Sequence, residues 1–207
     1  EIDIPELQRE FVWSDEQVKD LAESIYKGYP MGLLTLYKLP RDLEEQTKAS
    51  YWVLDGQQRL LSVTLMVNGS VGLKGGEDKK LWVWFNPKEE NFRCTEPPRK
   101  LGEGWVNLYD ILKMKDENLV KYIEGKTVEE REKINLLWLR FRGYNVLFHE
   151  LAENLELDML GDIFVRSNFA GTRVKGSDVY STMVAITEPG MVKDLRRFVD
   201  ELKTSLG

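Results

Sequence analysis

Cysteine and histidine are almost missing from this chain: Cys94 and His149 are each the sole representative among 207 residues. One cysteine forms no internal disulfide, and this pair cannot supply a zinc site built from several thiolates. A His-Asn-His nuclease site, which needs several histidines, is incomplete for the same reason. No apolar run approaches the ~18 residues that span a bilayer, so no membrane partner is expected. No Walker-type glycine loop ending in Gly-Lys-Ser or Gly-Lys-Thr occurs either, so any nucleotide must sit in a different cradle. Positive charge is in deficit, with 29 Lys and Arg against 35 Asp and Glu and a net charge of −6. Domains that hold DNA mainly through its phosphates are usually basic, so strong non-specific DNA binding is disfavoured; a local basic groove is still compatible. The acidic start Glu1-Ile2-Asp3-Ile4-Pro5 does not read as a signal peptide and lacks Met. An excerpt of a longer, reduced, cytoplasmic protein is expected.

Apolar residues make up 42% and charged residues 31%, with enough Trp, Tyr and Phe to fill a core. That is the profile of an ordinary globular protein. Residues 2–13 read as extended, because Pro5 forbids a helix interior. Ser14 with Gln17 three residues later forms a capping box, and Val18, Leu21, Ala22 and Ile25 follow as one helical stripe that Gly28 and Pro30 end. Leu33 to Leu39 reads as a strand and 41–50 as a surface loop. Tyr51 to Leu54 is a short apolar strand running into the Asp55-Gly56 turn, after which Gln57 or Gln58 opens a helix. Further expectations are a turn-rich 68–76, a strand at Leu81 to Phe85 and an irregular connection over 86–104. Helices follow near 108–124 and 127–141, then a strand through Tyr144, Val146 and Phe148, then a helix over 156–167. Ser177 caps another helix, and a last one carries Met191, Leu195, Phe198 and Leu202. The class is α+β. The division expected is a core over 1–105 and a mainly helical portion over 106–207, packed together as one unit.

Three stretches carry chemistry. In strand–Asp55-Gly56-Gln57-Gln58-Arg59–helix, the helix start offers unpaired N–H groups and the positive end of its dipole. Gly56 lets an anion approach the backbone, and Arg59 offers a two-pronged guanidinium one turn on. Gln57 and Gln58 add neutral donors and acceptors, and Asp55 can hold magnesium or orient a water. An ordinary Asp-Gly turn with Arg59 on the surface fits the same letters. The second stretch is Ile4 to Arg9, where Arg9 is either a second phosphate clamp or a salt-bridge residue. The third, 164–179, passes Arg166 and Asn168 to Gly171-Thr172, a turn able to form an anion-binding nest or simply a polar loop.

Taken in order, IPELQREFVW, LAESIYKGYPMG, WVLDGQQRL and IFVRSNFAGTRV resemble the GmrSD restriction endonuclease N-terminal domain family, a branch of the ParB/sulfiredoxin-like superfamily. The resemblance runs from residue 4 to about 186. Ala170 and Val174 depart from the glycine and leucine common in the family. The resemblance implies a small mixed sheet packed with helices, followed by a helical C-terminal portion. It also implies an NTP-binding and NTP-hydrolysing regulatory domain of a modification-dependent restriction or phage-defence system. Asp55 and Arg59 would be catalytic. Gln8, Arg9, Gly56, Gln57, Gln58, Arg166, Asn168 and Thr172 would line the nucleotide phosphates. NTP with Mg²⁺, held by Asp55, would be the cofactor. DNA and a C-terminal or partner nuclease module would be the partners. A DNA-binding or modified-base-sensing module without NTP turnover is the alternative, with Arg196 and Arg197 as a basic patch.

The remaining reactive residues have plainer readings. His149 reads as structural. Arg93 beside Cys94 would lower the thiol pKa, yet nothing nearby supports a nucleophile, and sulfiredoxin's cysteine chemistry does not carry over. Trp82 and Trp84 share a strand face and suit core packing. Lys126 to Lys133 reads as a solvated helix face with a Glu129–Lys133 pair.

Overall fold

The capping box at Ser14 starts helix α1, Asp15–Lys27, as the sequence dictates: the Ser14 side chain accepts from the Gln17 N–H, and the Gln17 side chain accepts from the Ser14 N–H. Gly28 closes the helix in the left-handed region at φ 74°. The structure is a computed structural model, and it describes residues 2–3, 11–72, 78–153 and 155–167. Gln8, Arg9, Asn168, Thr172, Arg196, Arg197 and the helices expected beyond Ser177 lie outside the described residues. The chain has the expected α+β character and divides into two compact units.

The first unit takes Glu1–Arg9, Leu33–Gln57 and Leu147–Gly207. Its described part is a four-stranded mixed sheet in the order β1-β3-β2-β9, formed by Ile2–Asp3 (β1), Leu34–Lys38 (β2), Tyr51–Asp55 (β3) and Phe148–Leu151 (β9). β3 runs parallel to β1 and antiparallel to β2, and β2 runs parallel to β9. Tyr37, Trp52, Leu54 and Leu151 form one buried cluster with Leu160 of helix α7, Leu157–Ser167. β2 and β3 are buried on both faces along most of their length, which is why they read as continuous apolar runs. The surface loop expected over 41–50 is corrected to helix α2, Arg41–Thr47. Pro40 leads into it, acidic Asp42 and Glu44 occupy its first turn, and no residue in it is fully buried. An apolar stripe, the usual sign of a helix, is therefore absent from its sequence.

The second unit takes Glu10–Gly32 and Gln58–Val146. Helix α3, Gln57–Asn68, leads to an antiparallel pair of Ser70–Gly72 (β4), inside the stretch expected to be turn-rich, and Asp78–Lys80 (β5), for which no strand was expected. Trp82–Asn86 (β6) is the central strand of a second antiparallel sheet, flanked by Asn91–Thr95 (β7) and Val106–Asn107 (β8). β7 corrects the irregular 86–104 connection: its Asn91, Arg93 and Thr95 alternate with Phe92 and Cys94 too briefly to stand out. α1 packs on β7, and Tyr26, Phe85 and Phe92 meet there with ring centroids 4.9–5.9 Å apart. The helical stretch expected at 108–124 is two helices, Leu108–Lys113 (α4) and Asp116–Ile123 (α5), split where Met114 turns extended. Val128–Arg142 (α6) carries a second capping box, from Thr127 to Glu130, and contacts α1, α4 and α5.

Ile134 of α6 is fully buried. Ile134→Ala should cost about 2–5 kcal/mol, the usual range for truncating a buried aliphatic residue. Urea unfolding of the two chains measures it; a loss below about 1 kcal/mol would place Ile134 outside the core.

Candidate functional site

Between β3 and α3 the chain turns through Gly56, whose φ of 89° is costly for any residue with a side chain. Both ends of the turn are anchored, by buried Val53 and Leu54 on the strand and by buried Leu61 and Leu65 on the helix. Asp55 is the last strand residue, in register with nearly buried Thr35 of β2. Gln57 opens the helix, so its first N–H groups lack intrahelical acceptors and the dipole presents its positive end there. Asp55, Gln57, Gln58 and Arg59 are all half-buried. The strand–turn–helix read from the sequence is therefore present, with the helix beginning at Gln57.

Within the second unit, two of these residues have visible tasks. The Gln58 side-chain amide oxygen, Oε1, accepts from the N–H groups of Val12, at 2.9 Å, and Trp13, at 3.3 Å. It thereby fastens the segment that enters α1. Arg59 Nη1 donates to the Met31 carbonyl at 3.2 Å. The guanidinium lies so close to Gly32 that a Cβ built there would sit 2.2 Å from Nη1. Gly32 also has φ 90°, which favours glycine there, and a side chain would push the Arg59 guanidinium aside. Sequence reading singled out the segment ending Lys27-Gly28-Tyr29-Pro30-Met31-Gly32 but gave it no task. Its task is to receive Arg59. Tyr144, expected to begin a strand, lies before β9, and its role was not foreseen: its hydroxyl accepts from the Met31 N–H and donates to the Tyr29 carbonyl, each at 2.7 Å. No local pattern announces that contact, because more than 110 residues separate the partners.

Arg166 is described and exposed on α7, 3.7 Å from Asp162 in a helical pair whose side chains are 83% and 75% exposed. Such a pair adds little stability and holds the guanidinium loosely. Among the described residues no group of three or more metal-ligating side chains occurs, so Asp55 belongs to no such cluster there.

Three plainer readings also meet the structure. Lys133 pairs with Glu90 at 2.7 Å, where the sequence suggested Glu129. Glu90 accepts from the Tyr26 hydroxyl at 2.6 Å as well, and these two hydrogen bonds hold its carboxyl below the usual range. Trp84 is buried and its indole N–H donates to Thr95 at 2.8 Å, as core packing requires. His149 is exposed on β9. For Cys94 the expectation reverses. Arg93 projects to the other face of β7, over the Trp105 ring, while Cys94 faces α1 and donates to the Asp15 carbonyl at 3.4 Å. Burial, followed by the Asp15 charge, pushes its thiol up to about 12.

Over residues 1–184 the chain matches the family described as GmrSD restriction endonuclease, N-terminal domain. No curated protein matches it.

Two outcomes are expected of this geometry. Gly32→Ala should lose about 1–2 kcal/mol from the positive φ alone and detach Arg59 from Met31. Urea unfolding and guanidinium NMR of Arg59 check it, and an unchanged Arg59 signal would refute the contact. Cys94 should react sluggishly with a thiol reagent at pH 8 in the native chain and rapidly in urea. The sign follows from the raised pKa: the folded state keeps its proton where the unfolded thiol, near pH ~8.5, has lost it. Its contribution to stability is therefore complete below about pH 8.5 and declines as pH climbs towards about 12.

Proposed function

The chain belongs to the GmrSD restriction endonuclease N-terminal domain family, and we propose that within such a restriction system it binds and hydrolyses a nucleoside triphosphate at Asp55–Arg59. The observation that carries this reading is the local build of that stretch: a buried strand, a left-handed Gly56 and a helix whose first turn bears Arg59. A helix start of this kind presents N–H donors to an anion, and glycine lets the anion reach them. Arg59 is held by Met31 at its Nη1, which limits the guanidinium's freedom before any ligand arrives.

A divalent cation fits the donor set. Magnesium is commonly held by one or two carboxylates together with substrate phosphates and waters, so single Asp55 is enough for a cation that travels with its nucleotide. The cation would neutralise phosphate charge when bound. Asp55 would hold it or orient the attacking water, and Arg59 would stabilise charge on the transferred phosphoryl group. Gly56 and Gln57 would offer backbone N–H groups, and Gln58 would keep the helix start in place through Val12 and Trp13. Gln8, Arg9, Arg166, Asn168 and Thr172 remain further candidates for the phosphate lining. A nuclease module in the full protein or in a partner chain would do the cutting, with this domain as its nucleotide-dependent regulator. The net charge of −6 favours a free nucleotide over DNA as the occupant of the turn.

Phosphate release from a panel of NTPs with magnesium, measured alongside nucleotide binding, tests the reading. Arg59→Ala should lower turnover roughly 100-fold or more, the scale expected for a lost transition-state charge contact. Arg59→Lys should recover only part of it, because lysine lacks the planar fork. Equal turnover in all three folded chains would refute the assignment. Salt-sensitive DNA binding with no response to any NTP would transfer the turn to a DNA phosphate.

A further inference from the structure

A cavity of about 530 Å³ opens between the loop after α1 and the C-terminal end of α6, lined by Gly28, Tyr29, Leu136, Leu139, Arg140 and Asn145 among others. All of these residues belong to the second unit. The volume falls in the range of small-molecule sites, roughly 300–1,000 Å³. Among the described residues no carboxylate lines it, in a chain where acids outnumber bases 35 to 29.

The cavity is built rather than incidental. Gly28 has φ 74°, and a Cβ there would lie 2.9 Å from Arg140 Nη1, so the guanidinium occupies the space that a side chain would take. The loop forming the opposite wall is fixed from within by Tyr144, which accepts from the Met31 N–H and donates to the Tyr29 carbonyl. Tyr29 itself stays 57% exposed and Leu139 52% exposed. The Tyr29 ring is therefore accessible on a backbone that Tyr144 holds.

We infer that this cavity receives one nucleotide unit, with its base against Tyr29 and its phosphate at Arg140. The chemistry matches part by part. Tyrosine offers a stacking face that accepts any base. Arg140 offers a planar fork to phosphate oxygens. Asn145 carries both a donor and an acceptor for a base edge. Leu136 and Leu139 supply apolar wall for the base or the sugar. The unit comes either from a free mononucleotide or from a single DNA strand, and the shared chemistry is a base joined to a phosphate. This inference does not rest on the reading of the Asp55–Arg59 turn, because its residues and its ligand's requirements are different.

The experiment titrates the chain with AMP, with dTMP, with an eight-residue oligothymidylate and with inorganic phosphate, following amide NMR shifts and affinity. Shifts should concentrate at Gly28, Tyr29 and Asn145. Arg140→Ala should weaken binding roughly tenfold or more, the scale of a lost hydrogen bond to a charged group. Tyr29→Ala should weaken it comparably, and inorganic phosphate alone should bind much less tightly. Mononucleotides matching the oligonucleotide would assign a free nucleotide. A tighter, salt-sensitive oligonucleotide would assign a strand. The inference is overturned by shifts that miss these residues in the parent chain, by no binding of any probe, or by Arg140→Ala and Tyr29→Ala chains that bind as the parent does. AMP has no β- or γ-phosphate, so a chain that releases no phosphate from NTPs still gives a clear answer here.

Discussion

A guanidinium laid against a glycine organises much of the second unit. Arg59 reaches from the first turn of α3 to the Met31 carbonyl and covers Gly32, which has neither the side chain nor the negative φ to obstruct it. The contact works only because the loop stays in place, and Tyr144 secures that by bonding to both Tyr29 and Met31. At the loop's other end Arg140 lies on Gly28 in a similar manner. Two arginines therefore bracket a five-residue segment, and each depends on a missing Cβ. The cost is the backbone freedom that two glycines forfeit on folding. The return is room for two cations against the segment, one of them, Arg59, tied to the Met31 carbonyl.

The sequence carried local information well. Ser14 with Gln17 and Thr127 with Glu130 declare helix starts through side chains that bond within four residues. Val53 and Leu54 followed by Asp55-Gly56 declare a strand and a turn, because a buried run and a permissive glycine are visible side by side. Short or one-sided elements were harder. α2 lacks a buried residue, and β7 shows only five residues of alternation, so neither rose above a loop in periodicity. Long-range pairing left no local trace: β9 lies parallel to β2 in the sheet, with Phe148 opposite Leu34, and more than a hundred residues intervene.

The candidate site was legible to a similar depth. The composition of Asp55 to Arg59 suggested a strand end, a glycine turn and a cation on a helix, and the backbone has that form. What held Arg59 was not legible, since a carbonyl acceptor such as Met31 is offered by every residue type alike. Cys94 shows the opposite error. Its neighbour Arg93 is adjacent in sequence but on the far face of the strand, and burial, then the Asp15 charge, sets the thiol instead. Adjacency in a strand separates side chains, whereas adjacency across elements joins them.

The two compact units are not successive segments. The chain leaves one for the other at Arg9–Glu10, at Gly32–Leu33, at Gln57–Gln58 and again at Val146–Leu147. Neither unit is therefore encoded by one uninterrupted stretch of gene. Recombination can import or discard a contiguous domain as a cassette, but any contiguous stretch that holds one unit entire also holds part or all of the other. Exchange of one unit alone therefore needs more than a single contiguous replacement.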